Sequence, residues 1–599
     1  MIVPMMKYSF LVYHKERALF MEDIMGLGVV QVILKGAFED DKTQELQFEI
    51  KEAEHILAAF RKRDKAAREK VAENLNLPLP SLSVISELEK ELEKQKHECA
   101  SLASQIEMLE PWGEFNWESI KKLESKTGLQ LRFCQHPESK FNADWQEDFP
   151  LQIVDKKNGR VYFIIFQEDV NAELPLVPLA LPKQSLSALK QQFDDCETKI
   201  AAINKELNYY ASTYQFDIEL SIAIARDQLN LHVANLNIEL RNEDTLLVLE
   251  GWCPKTKRTD LENYLEEKKV VFVAQKPTPE EVPPVLLKNN RFTKLFEPIG
   301  TMFSLPHYSE LDLTVYFAPF FLLFFGFCLG DAGYGVIFIL VGTLLKFKIK
   351  GPNRSYLTLI QLFGISTTII GYLSGTLFGL EMAKEPIFAS QKEIFLSQDQ
   401  LFNVALAIGF VQIIFGMAVN VYKQVIFHGW LAGISKLGWI IASLCTLDLL
   451  VLERLTSVTG ILVWVGVAMI VFFGSPKDGW LKSFGLGLAD LYNVTGIAGD
   501  LLSYIRLFAL GVSSAILGLV VNSIALSAKG IPYVGIGVFI LILVIGHGAN
   551  MMLASLSAFV HPMRLTFVEF YKNTGFLGGG KPYKPLAREV EGLKESLTE

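Results

Sequence analysis

Beyond Leu313 the chain offers eight apolar segments, at about 313–328, 332–347, 356–379, 401–422, 431–451, 457–474, 487–526 and 533–571. About 20 apolar residues of helix cross a bilayer core, so each segment is near or beyond spanning length, the first two being the shortest. Charge divides the chain at the same place. Residues 1–300 carry 38 Lys+Arg against 49 Asp+Glu, a net −11, whereas residues 301–599 carry 19 against 17, a net +2. The first half reads as a charged soluble region and the second as membrane-like.

Basic residues in the connecting loops set the orientation. With the soluble half inside, Lys346, Lys348, Lys350 and Arg354, then Lys423, then Lys477 and Lys482, and finally Lys572, Lys581, Lys584 and Arg588 all fall inside. The outer loops balance their bases with acids, as in Glu381, Lys384, Glu385, Lys392 and Glu393. Eight spans with both termini cytoplasmic are expected. The N-terminus lacks the basic stretch, apolar run and small-residue cleavage site of a signal peptide. The six cysteines are scattered without a C-x-x-C pair, which fits reduced thiols and suggests neither a zinc site nor a disulfide framework.

Two segments of the soluble half carry apolar residues at 3-4 spacing. One runs Ile85, Leu88, Leu92, Gln95, Cys99, Leu102, Ile106, Leu109; the other Leu186, Leu189, Phe193, Cys196, Ile200, Ile203, Leu207, Tyr210. Such seams with charges between them predict an antiparallel coiled-coil arm. A weaker seam, Leu46, Ile50, Ala53, Leu57 and Phe60, precedes them, separated by Pro78 and Pro80. A distal α/β lobe is expected around runs such as Gly159-Arg-Val-Tyr-Phe-Ile-Ile-Phe166. A proximal lobe should join Tyr8–Tyr13 to Leu246–Pro254. The competing reading is an ordinary globular bundle.

Arg506 lies in the apolar run Asp500–Val521, and a guanidinium stays charged at any working pH. An intramembrane Arg costs about 2.5–3.5 kcal/mol on insertion scales, so it is a functional-site hypothesis with a partner to be found. Asp331, Asp448 and Asp500 are the acids that would make it merely structural. The last two segments cross only if strongly tilted or bent. On the final one, Asn550, Ala554, Ser557, His561 and Arg564 follow 4-3-4-3 spacing and share a stripe; Ser503, Arg506 and Ser513 share another. His561 beside Pro562 also reads as a kink histidine. Glu569, five residues past Arg564, falls on a different face of a regular helix, near the inner interface, where it reads equally as a solvated end. Asp331 in Gly330-Asp-Ala-Gly-Tyr-Gly335 reads as a turn or cap. Gly578-Gly-Gly580 has no phosphate-loop Lys and reads as a linker.

The sequence holds no Walker motif, catalytic triad or metal cluster, so no nucleotide hydrolysis, cofactor or metal is expected of this chain. The segments Tyr504-Ile-Arg-Leu-Phe-Ala-Leu510, Leu556–Phe570, Phe325–Gly335 and Leu249-Glu-Gly-Trp-Cys-Pro254 resemble the V/A-type rotary ATPase membrane stator, subunit a or subunit I, in its prokaryotic form. The resemblance covers essentially the whole chain. It implies two ion half-channels and a last helix pair pressed against a ring of proteolipids bearing membrane-embedded carboxylates. Arg506 then corresponds to the family's essential arginine and Arg564 to its second. Peripheral-stalk and central-stalk collar subunits are the implied partners of the soluble half, with the lipid bilayer around the rest and no nucleic acid. Where eukaryotic members carry a histidine eight residues after the essential arginine, this chain has Ser514; where they carry a glutamate ten residues before the second, it has Ala554. Those relay roles do not transfer.

The expected architecture is mainly α. A cytoplasmic collar-and-arm region (1–300) comprises a proximal lobe at about 1–42 and 236–300, a coiled-coil arm at about 43–111 and 181–235, and a distal lobe at about 112–180. An eight-span domain (301–575) and a cytoplasmic tail (576–599) follow. The expected ion-path residues are Ser503, Arg506, Asn550, Ser557, His561, Arg564 and Glu569. A secondary transporter binding an anion through its arginines is the alternative, although no internal repeat is evident. A purely structural tether would leave both intramembrane arginines unexplained.

Overall fold

The computed structural model describes all residues except 35–39, 64–79, 142–144, 146–149, 168–177, 237–238, 242–245, 350, 352–353, 450–455, 475–479, 531 and 599. Pro78, Lys350 and Lys477 thus lie outside the described residues. The chain divides into two compact units, one of Met1–Leu11, Val29–Val32 and Glu250–Pro585, the other of Val12–Gly28, Ile33–Leu249 and Leu586–Glu599.

In the second unit the apolar seams find each other. Helix Leu82–Leu109 packs against Leu186–Thr213, and Asp41–Lys62 against Gln215–Leu236. Both pairs are antiparallel: Cys196 Sγ meets the Gln95 carbonyl at 3.2 Å, while Asp40, Glu54 and Arg61 meet His232, Arg226 and Glu219 in reverse order. Ile56, Phe60, Ile85, Leu92, Leu207 and Tyr210 form the common core. Asp40 caps the first of these helices by accepting from the Thr43 amide, satisfying one of its orphan donors. Strands Gln130–Pro137, Arg160–Gln167 and Leu151–Lys157 form an antiparallel sheet in that order over Cys134, Val161, Phe163 and Ile165. Asn158 and Gly159, both at positive φ, make the tight turn that the strand twist favours.

The first unit holds most of a sheet ordered Gln31–Val32, Leu246–Pro254, Met5–Tyr13, Val271–Gln275. The C-terminal segment is stitched to the same region. Val285 pairs with Pro582, the Tyr583 hydroxyl donates to the Val29 carbonyl at 2.6 Å, and the Lys584 amide to Gln31 Oε1.

The rest of this unit is helical. Among the described residues five stretches are long and apolar enough to cross a membrane: Arg354–Leu373, Ser390–Phe427, Trp430–Leu447, Lys482–Ala528 and Gly535–Thr574. Thr314–Leu329 and Val458–Phe472 are apolar but shorter. Phe317, Phe321, Phe324, Phe363, Tyr504 and Phe570 sit in the shared core. Small residues bring backbones together, as expected where lipid supplies no hydrophobic drive: a Cβ on Gly371 would lie 2.1 Å from the Ala332 nitrogen.

Two segments differ from expectation. The third apolar segment stops as helix at Leu373, because Gly375 and Gly379 at positive φ turn the chain into the small hairpin Thr376–Leu377/Leu380–Glu381. The seventh, read as one segment over 487–526 that crosses only if tilted or bent, is three helices, Trp480–Asp490, Asn493–Ser503 and Ile505–Ala528. At the second break, Tyr504 is locked in the core. Its ring stacks edge-on to Phe324 at 5.8 Å and seats on Gly409, where a Cβ would lie 2.4 Å away. Its hydroxyl donates to Gln412 Oε1 at 2.7 Å.

Candidate functional site

Arg506 follows directly on this locked tyrosine. Tyr504 and Leu507 point into the core, which leaves Arg506 half-buried on the flank. It makes no ion pair among the described residues, and its buried Nη1 has no hydrogen-bond partner there. The acids considered as its structural counter-ions are otherwise engaged or elsewhere. Asp500 holds Lys572 Nζ at 3.1 Å on each oxygen. Asp331 caps helix Ala332–Lys348, accepting from the Gly333 and Tyr334 amides, and clasps the hairpin amides of Phe378 and Gly379 at 2.9 and 2.8 Å. Its reading as a cap is what the structure has. Asp448 keeps one buried oxygen without a partner.

The final helix, Gly535–Arg564, brings His561 and Arg564 to the same place. His561 is half-buried with its Nδ1 unpartnered, and both Arg506 and Arg564 act on its ring electrostatically. Pro562 supplies no N–H to the ladder, and after Arg564 the helix widens into a π segment, Leu565–Phe570. This widening corrects the placement of Glu569. Five residues along a regular α-helix is about 140° away from Arg564, at ~100° per residue. With i→i+5 bonding, the fifth residue returns nearly beneath the first. Glu569 Oε1 accordingly lies 4.0 Å from Arg564 Nε, and the side chain is only 3% exposed, not solvated. Its Oε2 and the hydroxyl of wholly buried Thr566 have no partner. Ser503, from the opposing helix, faces the Glu569 carboxyl.

Five of the seven expected residues thus converge: Ser503, Arg506, His561, Arg564 and Glu569. Ser557 is half-buried one turn before His561. Asn550 stands apart, 14 residues before Arg564, or about 21 Å at the helical rise. It is buried, and its Nδ2 donates to the Tyr334 hydroxyl at 2.9 Å and the Ser514 carbonyl at 3.0 Å. Tyr334 reaches His547 Nδ1 at 2.8 Å, and His547 Nε2 reaches Asn522 Oδ1 at 3.0 Å. Sequence reading passed over this cluster. The signal was available in His547, a titratable residue in an apolar helix, but its partner Tyr334 lies 213 residues away.

Chemically, the convergent site holds two guanidiniums, one imidazole and one buried carboxylate, with polar capacity left unused inside the chain. Glu569 answers Arg564, whereas Arg506 is left without an acid among the described residues.

Helices this long and apolar define a membrane protein, with a cluster of charged groups on its last helices. Residues 179–363 match the V-type ATPase 116kDa subunit family. Along 98% of its length the chain is 27% identical to V-type ATP synthase subunit I of Borreliella burgdorferi, covering 100% of that protein. It is 28% identical to A-type ATP synthase subunit I of Methanocaldococcus jannaschii over 68% of this chain and 64% of that one, and 29% identical to its counterpart in Methanothermobacter thermautotrophicus over 67% and 60%. The chain is thus similar to subunit I of V-type and A-type ATP synthases, over nearly its whole length in the first case.

Proposed function

We propose that the chain is the membrane stator of a V/A-type rotary ATPase, in which Arg506 faces a passing ring of proteolipid carboxylates. The observation that carries this reading is Arg506 itself, half-buried, always charged and without an acid among the described residues. A fixed cation favours the ionised form of a nearby carboxylate and hence release of its ion. It also blocks a leak, since a ring carboxylate passing Arg506 with its ion aboard forgoes that attraction. The outer faces of the last two helices support the reading, with Ile516, Leu517, Ile524, Leu541, Val544 and Leu553 exposed for lipid and ring.

In this reading the membrane region, 301–575, makes eight spans by adding the shorter apolar helices to the long ones, with both termini cytoplasmic in the cell membrane. Residues 1–300 form the collar and coiled-coil arm that bind peripheral-stalk and central-stalk collar subunits and resist torque. Ser503, Ser557, Asn550, His561, Arg564 and Glu569 line the half-channels on either side of Arg506. The test is replacement of Arg506 by Ala or Gln in the assembled complex. ATP-coupled ion flux should vanish while assembly persists, and retained coupling would refute the reading. Arg506→Lys should also fail, because an ammonium is a compact point charge lacking the planar fork.

A further inference from the structure

Four of the six free cysteines sit in separate elements: Cys134 and Cys253 in strands, Cys328 and Cys445 in apolar helices. Cys99 and Cys196 do not. They come from two helices of the arm, Leu82–Leu109 and Leu186–Thr213, and meet where these pack together. Cys196 is 5% exposed, and its Sγ donates to the Gln95 carbonyl at 3.2 Å. In an α-helix that carbonyl accepts from the amide four residues on, which is Cys99. Side chains on a helix lean toward its N-terminus, so the half-buried Cys99 leans over the same turn. The two thiols engage each other directly. Cysteine in an apolar seam ordinarily serves as a small hydrophobe, which would account for either residue alone. Here the apolar packing is already thin, since buried Gln95 fills the neighbouring seam position and spends its amide on Glu91 at 2.8 Å. Among the described residues no third metal-ligating side chain joins the pair. Thiol–thiol chemistry is what the juxtaposition offers.

We propose that Cys99 and Cys196 form a redox-modification site, at which a peroxide joins them in a reversible disulfide that staples the arm on the stem of its three-stranded sheet. Cytosolic disulfides are characteristically transient and redox-sensing, because the glutathione pool returns thiols to the reduced state. Cys99, the more exposed, loses its proton to water and attacks one oxygen of the peroxide. The O–O bond breaks, Cys99 becomes the sulfenic acid, and the departing hydroxide is protonated to water. Cys196 then attacks the Cys99 sulfur; S–S forms as S–O breaks, and the Cys196 proton leaves with the hydroxyl as a second water. Two thiols are oxidised by two electrons in all and one peroxide is reduced to two waters; a dithiol reductant reverses the step by exchange. Burial, then the neighbouring thiol and Glu197, raise the Cys99 thiol above its ordinary value. The thiolate is the nucleophile, so the site answers sustained rather than brief exposure. The closed loop, 99–196, contains all three strands of the sheet, and the two helices can then neither slide nor part.

The experiment uses the whole chain in detergent with hydrogen peroxide as the probe, followed by alkylation in denaturant and tryptic mapping. Oxidation should join peptides 97–121 and 191–199, remove two alkylatable thiols and be undone by dithiothreitol. Cys99→Ser and Cys196→Ser should each abolish the link, and Cys134→Ser should retain it. In the linked chain, amide exchange in Leu82–Leu109 and Leu186–Thr213 should slow by about tenfold or more, because a cross-link closing a long loop stabilises the folded arm. Full alkylation of both cysteines after peroxide would overturn the proposal, as would Cys99 advancing to sulfinic acid without a link, or linking between two chains. A link that leaves exchange unchanged in both helices would overturn it equally. The parent chain is compared with and without dithiothreitol, so the outcome stands even if a serine variant fails to fold.

Discussion

Removing the Asp331 carboxylate should open the hairpin that rests on the helix after Arg506. The side chain is 1% exposed. Its Oδ1 accepts from Gly333, Tyr334 and Phe378, its Oδ2 from Gly379 alone. Asp331→Ala loses a helix N-cap, about 1 kcal/mol, and leaves two hairpin amides without acceptors, about 1–3 kcal/mol each. The total is about 3–7 kcal/mol as an upper bound, since water entering the site would recover part. Asp331→Asn keeps Oδ1 and its three bonds and opposes an NH₂ to the Gly379 amide, so about 1–3 kcal/mol is lost at that one position. Amide hydrogen exchange on the detergent-solubilised chain reads the difference. At about 1.4 kcal/mol per tenfold, the Ala variant should lose protection at both Phe378 and Gly379 by about ten- to a hundredfold. The Asn variant should lose it at Gly379 and keep it at Phe378. Equal loss at both positions in the Asn variant, or unchanged exchange in the Ala variant, would refute this division of labour.

Asp40 is held down to about 2, first by the Thr43 hydroxyl and then by His232. Its ordinary value is near 3.9. A depressed carboxylate contributes stability above that value and loses it as pH falls through 2. Protection of the Thr43 amide relative to its intrinsic exchange rate should therefore fall between about pH 4 and pH 2, and Asp40→Ala should abolish that pH dependence. Gly371→Ala should sharply reduce recovery of folded, monodisperse chain in detergent, because the new methyl meets Ala332 backbone at 2.1 Å; Gly342→Ala meets the flexible Gln361 Cγ at 2.8 Å and should be milder. Burial raises the thiols of Cys253 to about 12 and Cys134 to about 11. Both should resist maleimide at pH 8 in the folded chain and react on unfolding.

Periodicity carried the parts of the fold that depend on a single element. The seam from Ile85 to Leu109 and its partner from Leu186 to Tyr210 needed only the 3-4 spacing, and the long apolar helices only their length. What depended on a contact between distant residues was not legible. The break at Tyr504 exists because Gly409 and Gln412 receive that ring and hydroxyl. A regular helix from Arg564 onward puts Glu569 on a different face, whereas the π segment Leu565–Phe570 brings it back toward Arg564. Arg506, His561 and Arg564 were visible as charges in apolar surroundings, and by the same reasoning His547 should have been. Asp500 offers itself in the sequence as a partner for Arg506, and nothing in the spacing points to Lys572.

The stitching of residues 581–584 onto the region of Val29, Gln31 and Val285 has a consequence for biogenesis. The sheet begun by Met5–Tyr13 needs Leu246–Pro254 and Val271–Gln275, and it gains its last hydrogen bonds from a segment synthesised after every apolar helix has emerged. Such distant closures are slow, because a long loop must be closed before its contacts repay the entropy. The sheet is therefore completed only once residues 583 and 584 are available, and the docking of Tyr583 fastens the far end of the segment that follows the helix bearing His561, Arg564 and Glu569.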